Sequence, residues 1–507
     1  MPSHASAHRM RRLLFAALIA LAAATPAHAA TPKRPPVVML LLDEFPLADI
    51  QRPDGSIDSV RFPGFAALQR ESTWFPNAAS VHDATQQAVP AMLTGRLPAT
   101  LSAPNYRSHP DSIFGFLRAA GYRVRAREEA TTVCPRTLCG RPDHYGNPEF
   151  NRLYERRERL QQTITGLSGL RRGTFVFHHS LLPHGPWVYL PSGRRRTGPR
   201  VGSFPEIAAP AGFGDPFLTR HLEQRHLLQA GFVDREVGRM VRMIKRSGQW
   251  RRALVVVAAD HGMSFRVGAR DRREVTQENV HEIAPVPLFI KRPGQTTGRV
   301  LGAYARTVDV VPTVARLLGR RLPWRVDGSD AFGREAARRG GVVIARRDLH
   351  GTITVPAREM EMRRQADRVR RAALFGTGPW AGVFHIGPNP GLLGREVPNP
   401  AGPTEPGRPV AHFMAPRSLS DVDLAGRESP ALAAGWIANG STSGGRDLAV
   451  TVNGRVAAVG RSFHIDTQAA EWFSITVPES ALRQGRNTMA VFEVTATGAL
   501  VPLGVKR

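Results

Sequence analysis

Two apolar runs in this chain stop abruptly at acid. Val37–Leu42 (VVMLLL) is followed by Asp43-Glu44, and the run inside RRALVVVAADHGMSF is followed by Asp260-His261-Gly262. A strand with one wet face alternates apolar and polar residues, so a run without alternation is predicted to be buried on both faces. That is the habit of parallel sheets covered by helices. TWFPNAAS, the second half of DSIFGFLRAAGYRVRAREE, the start of GTFVFHHSLLPHGPW and APVPLFIKRPG read as further strands. FPGFAALQREST, DSIFGFLRAAG, the long FLTRHLEQRHLLQAGFVDREVGRMVRMIKRSGQW and TVDVVPTVARLLG read as helices. Strands alternating with helices predict an α/β fold, a mostly parallel sheet sandwiched by helices. In such sheets ligands gather at the carboxyl ends of the strands, where Asp43 and Asp260 fall.

A buried carboxylate at a strand end is costly unless it is paired or binds a metal. Either Asp alone reads as a cap for the segment that follows. Together in one sheet, and with His261 beside Asp260, they form a donor set of oxygen and imidazole that suits a divalent cation.

Between them lies HDATQQAVPAMLTGRLP, from His82 to Pro98. Proline lacks an N–H and is tolerated in the first helical turn, so Pro90 predicts a helix starting near Gln86–Ala88. Thr85 then sits at the cap or just before it, its hydroxyl close to free backbone N–H groups and the positive end of the helix dipole. That is a place for a phosphate or sulfate oxyanion. On this segment alone, a plain threonine N-cap explains the residue equally well.

The chain has 507 residues, 42% of them hydrophobic, enough for about two or three domains. Its formal net charge is +27, carried almost entirely by arginines scattered singly, in pairs and in one triplet, Arg194–Arg196, with no long basic run and no basic–aromatic alternation. Nucleic acid is therefore not expected as a partner, whereas an acidic substrate or an anionic envelope surface fits. Arg9, Arg11 and Arg12, the apolar run Leu13–Ala24 and the small-residue site Ala27-His28-Ala29 have the layout of a secretory signal peptide, residues 1–29. An uncleaved anchor is the alternative reading. The mature protein is expected to be exported, to the periplasm, the exterior or the cell envelope, and peripheral membrane association is compatible with this. The two cysteines, Cys134 and Cys139, read as a local disulfide in an oxidising compartment, with a metal pair as the alternative.

After Gly340, VVIARR reads as a late strand and AREMEMRRQADRVRRAALFG as a charged helix. Residues 394–410 are dense in Pro and Gly and read as a linker. Beyond it, DLAVTVNGRVAAVGRSF places two alternating runs around Asn453-Gly454, a hairpin signal, and two more strands follow. The expected organisation is a catalytic domain over residues 36–393, the linker, and a small all-β sandwich over 411–507. Trp436 and Trp472 read as core tryptophans, with stacking on a glycan as the alternative.

VVMLLLDEF, FPGFAALQRESTWFPNAASVHDATQQAVPAMLTGRLP, LLPHGPW, VVVAADHGMSF, VPLFIKRPG and TVDVVPTVARLLG occur in the order found in the sulfatase-like branch of the alkaline phosphatase superfamily, and the chain resembles that branch over roughly residues 36–320. Sulfatases of the branch carry Cys or Ser, then x-Pro-Ser-Arg, a fixed distance before Thr-Gly, and oxidise it to formylglycine. Counting back from Thr94-Gly95, that position is Thr85, and the Pro-Ser-Arg is missing. Threonine cannot give formylglycine. The chain is more similar to the threonine members, such as lipoteichoic acid synthases and phosphoethanolamine transferases, in which a threonine held by a divalent cation attacks phosphorus.

The resemblance implies one divalent cation (Mn, Zn, Ca or Mg) held by Asp43, Thr85, Asp260 and His261, with Glu44 able to join. It implies Thr85 as the nucleophile. His184, in the Pro-His-x-Pro loop, and His281 are implied as substrate-site histidines, and His178 and His179 belong to the strand. A second zinc site from Asp215, His221 and His226 is not expected, because the Asp-x-x-x-His spacing is absent. The activity implied is hydrolysis or transfer of phosphate esters, either phosphodiesters or an envelope phosphopolymer or lipid headgroup, with glycan contact by the β unit. A sulfuric ester hydrolase without formylglycine and a non-catalytic glycan- or surface-binding protein are the alternatives.

Overall fold

β1 (Val37–Asp43) is buried along its whole length, and its successive residues serve two different cores. Val38, Leu40 and Leu42 pack with Phe65, Leu160, Val233 and Val257. Val37, Met39 and Leu41 pack with Val89, Phe114, Val256 and Val311. This is why the run does not alternate: neither face of the strand is wet. The structure, a computed structural model, describes residues 34–139, 155–198, 214–398, 407–465 and 468–506. The expected signal peptide lies outside them. Among the described residues, no helix is long and apolar enough to cross a membrane.

β1 belongs to a seven-stranded sheet with β2 (Thr73–Trp74), β3 (Arg123–Glu128), β4 (Thr174–Pro183), β5 (Leu254–Ala259), β6 (Leu288–Lys291) and β7 (Arg299–Val300), in the spatial order β3-β4-β1-β5-β6-β2-β7. β3, β4, β1 and β5 run parallel, and β6 reverses against β5. Helices cover both faces: α1 (Pro63–Gln69), α2 (Thr85–Thr94), α3 (Ile113–Ala119), α4 (Arg156–Gly166), α5 (Pro216–Arg246) and α6 (Val310–Leu317). α1, α4 and α5 line the first core, and α2, α3 and α6 the second. The mostly parallel α/β sheet expected from the strand texture is present. α5 begins where Asp215 accepts from the Leu218 N–H at 2.7 Å, with Pro216 in its first turn.

One helix boundary differs from the expectation. α2 begins at Thr85 with Ala84 as its cap, so Pro90 lies in the body of the helix. Thr85 is a helical residue and does not cap. The hydroxyl that would have reached back to the backbone is turned to other partners, described below. Cys134 and Cys139 form the expected disulfide.

The later chain adds a hairpin of β8 (Gly341–Ala345) and β9 (Thr352–Pro356) and the charged helix α7 (Ala357–Phe375). The C-terminal strands are β10 (Val410–Phe413), β11 (Leu432–Ala438), β12 (Asp447–Val452), β13 (Arg455–Ile465), β14 (Gln468–Thr476), β15 (Met489–Val494), β16 (Leu500–Pro502) and β17 (Gly504–Lys506), in the order β16-β15-β12-β13-β14-β11-β10-β17. β13 pairs with β12 through Arg455–Arg461 and with β14 through Ser462–Ile465, so one long strand joins two halves of an all-β unit. Asn453 and Gly454 turn the β12–β13 hairpin with φ of 53° and 79°, as the favoured two-residue turn requires.

This unit does not hang on a free tether. Val450 and Ile475 share a hydrophobic cluster with Phe217 of α5, and His221 of α5 meets Ser474 Oγ at 3.0 Å. The start of the Pro/Gly stretch is tied down too, with Gly394 donating to Val456 and Val397 to Gly454. Trp436 is not a core residue as expected: it is 37% exposed and stacks on His412 across the β10–β11 pair, centroids 4.9 Å apart.

Candidate active site

Leu42 of β1 pairs with Ala259 of β5 in parallel register, so Asp43 and Asp260 leave the sheet side by side. Both are fully buried. The chain turns sharply after each. Glu44 has a φ of 55° and donates its N–H to Asp260 Oδ1 at 3.2 Å, while Phe45 donates to the His261 carbonyl. Asp260 Oδ1 also accepts from the His261 N–H at 2.7 Å. Gly262 is needed because a Cβ there would lie 2.5 Å from the Glu282 carbonyl oxygen, and its own N–H bonds the Ile283 carbonyl at 2.8 Å. That close approach explains why glycine follows Asp-His.

His261 Nδ1 donates to the Gly262 carbonyl at 2.8 Å, which leaves Nε2 as a lone-pair donor facing inward. Its partner is Thr85: the Thr85 Oγ1 lies 3.2 Å from His261 Nε2 and 3.4 Å from Asp43 Oδ1. Asp43, Asp260 and His261 each offer a ligand atom within 4.8 Å of the others. Asp43 Oδ2 and Asp260 Oδ2 are buried with no hydrogen-bond partner among the described residues.

The electrostatics point the same way. Burial, and then the charge of Asp260, push the Asp43 carboxyl well above the usual range. Burial pushes Asp260 up to about 7 against the pull of the His261 and Glu44 N–H groups. Two buried acids converging beside an inward imidazole nitrogen call for positive charge between them. These donors fit a divalent cation, three oxygens and one nitrogen with Thr85 included.

Glu44, expected as an additional ligand, is used differently. Its carboxylate takes two bonds from Arg272, at 3.0 and 3.1 Å, and its carbonyl accepts from His226 Nε2 at 3.0 Å. Burial alone would raise its pKa, but Arg272, then His184 and Arg273, hold it well below the carboxylate range. His184 stands beside this pair, its Nε2 3.5 Å from Glu44 Oε1 and 3.4 Å from Arg272 Nη2. Burial pulls His184 down to about 4, and its Nδ1 meets the Gly185 carbonyl at 2.6 Å. The His184 loop is fastened from behind: Arg156 donates to the carbonyls of Leu181, His184, Gly185 and Pro186.

His281 faces a different set of charges. The short helical turn Val280–Ile283 aims its ring at Glu282, with Asp367, Arg266, Arg363 and Arg370 as the charges around it. Asp215, His221 and His226 are engaged separately, as a helix cap, a Gln224–Ser474 contact and a Glu44–Asp49 contact. A cavity of roughly 670 Å³ between α5, Trp380 and the β12–β13 hairpin includes none of the Asp43, Thr85, Asp260 or His261 side chains.

Sequence reasoning missed Arg272 and Arg156. The Arg272-Arg273 pair soon after Asp-His-Gly was a usable signal, hidden by the many paired arginines of this chain. Nothing in the sequence marked Arg156, whose loop is built only by the fold.

The sulfatase family profile matches residues 35–320. Lipoteichoic acid synthase 2 of Bacillus subtilis (strain 168) is 29% identical over 136 residues, 25% of this chain and 20% of that protein. The multifunctional alkaline phosphatase superfamily protein PehA of Trinickia caryophylli is 29% identical over 98 residues, 19% of this chain and 18% of that protein. The chain thus spans only 20% and 18% of the length of these curated relatives. Among solved structures, a phosphonate monoester hydrolase of Agrobacterium radiobacter is 16% identical with a TM-score of 0.44, covering 61% of this chain and 78% of that one. A 2-O glycosaminoglycan sulfatase is 14% identical with a TM-score of 0.46, covering 67% and 89%.

Proposed function

The chain belongs to the sulfatase family, and we propose that it is an exported, cation-dependent enzyme that hydrolyses or transfers phosphate esters through Thr85. The observation that carries this is the contact of the Thr85 hydroxyl with both Asp43 and His261 at the converging ends of β1 and β5. Phosphate is favoured over sulfate because threonine stands where a formylglycine precursor would be needed. The preferred substrates are phosphodiesters of an envelope polymer or lipid headgroup. The β unit, with Trp436 exposed, is the part we assign to glycan contact.

Asp43, Thr85, Asp260 and His261 would hold the cation, which when bound would supply positive charge to the transferred group and to the threonine oxygen. The residues do the rest. β1 and β5 fix the two carboxylates, and the Gly262 carbonyl fixes the imidazole. Thr85 Oγ1 attacks phosphorus, and its proton passes to Asp43 Oδ1. The Thr85 O–P bond forms as the bond from phosphorus to the leaving oxygen breaks, and that oxygen takes a proton from solvent. Water or an alcohol then attacks phosphorus as the Thr85 O–P bond breaks; Asp43 returns the proton to Thr85 Oγ1, and the attacking hydroxyl loses its own proton to solvent. Thr85 opens α2, so the positive end of that helix faces the developing charge. His184 and Arg272 are assigned to the transferred group, from the Glu44 side.

The test compares an aryl phosphodiester with an aryl sulfate, with added Zn²⁺ or Mn²⁺ and after chelation. Turnover of the phosphodiester that stops on chelation is expected. Preferential turnover of the sulfate, or turnover unaffected by chelator, would overturn the reading.

A further inference from the structure

Beside the four residues assigned to the cation lies a buried pair of complementary atoms that face each other without bonding. β4 runs parallel to β1 and sets His179 opposite Leu41, two residues before Asp43. His179 Nε2 is 4.0 Å from Asp43 Oδ2, and both side chains are essentially inaccessible. Among the described residues, neither His179 nitrogen has a hydrogen-bond partner, and neither does Asp43 Oδ2. The neighbouring His178 differs: its two nitrogens meet Thr163 Oγ1 at 2.7 Å and Glu129 Oε1 at 3.1 Å.

A buried carboxylate oxygen and a buried imidazole left unpaired each carry a desolvation cost, and buried polar groups are almost always bonded. The imidazole can donate and the carboxylate can accept, so one contact removes both costs. Closing 4.0 Å to hydrogen-bond distance needs a shift of about 1 Å. Asp43 Oδ1 is already turned toward Thr85, so Oδ2 is the oxygen left to be oriented. Carboxylates that bind metals are themselves hydrogen-bonded, and that outer contact fixes their direction.

We infer that His179 is a positioning residue: it donates from Nε2 to Asp43 Oδ2 and thereby aims Oδ1 at the cation and at Thr85. This rests on the cation-dependent reading above. His179 touches no substrate and acts only through Asp43.

The test uses the full chain and the variants His179→Gln, His179→Asn and His179→Leu, with Zn²⁺, Mn²⁺, Mg²⁺ and Ca²⁺ titrated in turn by calorimetry. Glutamine places an amide N–H close to the position of Nε2, asparagine stops short of it, and leucine offers none. The Gln variant is expected to keep wild-type cation affinity. The Asn and Leu variants are expected to lose about 10- to 100-fold in affinity, with a matching fall in kcat/KM. Thermal midpoints of the cation-free proteins show whether each variant is folded, and the Gln–Asn pair decides the matter if leucine prevents folding. Wild-type affinity in the Asn variant, or equal loss in folded Gln and Asn variants, would overturn the inference and leave the functional reading intact. A wild-type protein that binds none of the four cations would overturn both.

Discussion

Thr85 meets His261 across 3.2 Å, from Oγ1 to Nε2, and the imidazole is held in that attitude from its far edge by the Gly262 carbonyl. Neither residue reaches the other by local sequence. One opens a helix on one face of the sheet and the other follows a central strand, so the pair exists only because the fold brings the start of α2 to the carboxyl end of β5. Removing the hydroxyl should therefore separate chemistry from binding. Thr85→Ala is expected to lower kcat on an aryl phosphodiester by at least about 10³-fold while the fold persists. Thr85→Ser is expected to keep part of the activity. Steady-state kinetics with both variants checks this.

Gly262→Ala tests the close approach behind His261. A Cβ at this position would sit 2.5 Å from the Glu282 carbonyl oxygen, which is backbone and cannot rotate away. The expected cost is about 1–3 kcal/mol of stability from overpacking, with a loss of cation affinity because the displaced backbone carries His261. Denaturant unfolding and calorimetry measure the two effects.

Arg272→Ala leaves the fully buried Glu44 carboxylate without its two-pronged partner. Breaking a buried pair from one side costs about 3–5 kcal/mol, and Arg273 Nε, 3.6 Å from Glu44 Oε1, is expected to hold the loss below that range. Combining Arg272→Ala with Glu44→Gln is expected to recover much of the loss, since the poorly compensated charge is then gone. A double-mutant cycle in urea reads the coupling directly.

The Glu129 carboxylate is buried and bonded to His178, Arg159 and the Leu181 N–H. Burial opposes ionisation, but these partners hold its pKa down to about 2, against an ordinary value of 4.5. The folded state therefore binds its proton less readily than the unfolded chain. The resulting stability, on the order of 3 kcal/mol, is fully present above pH 4.5 and is lost as pH falls toward and through about 2. Glu129→Gln is expected to be less stable than wild type at neutral pH, and the two proteins to converge as the solution is acidified. Denaturation curves across that window check the sign.

The α/β architecture was legible because VVMLLLD and LVVVAAD have no polar alternation, and the sheet explains why. Asp43, Thr85, Asp260 and His261 were legible from their order and spacing within the family resemblance, and the structure brings those four together. Pro90 as a first-turn residue predicts too late a start for α2, because the helix begins at Thr85 and carries the proline in its body. The sequence groups Glu44 with its neighbour Asp43. Adjacent residues at a strand end point in different directions, and a positive φ turned it to Arg272, a residue distant in sequence. The sequence places His179 in its strand, as found, but the role inferred for it comes from register against β1, which no single strand records.

The central claim is that the Thr85 oxygen forms a bond to phosphorus. The most direct measurement is to incubate the cation-loaded protein with an aryl phosphodiester, quench it in acid and map the modified peptide by mass spectrometry. The expected result is a phosphoryl adduct on Thr85, absent from Thr85→Ala. Turnover at an unchanged rate in Thr85→Ala, or an adduct on any other residue, would contradict it.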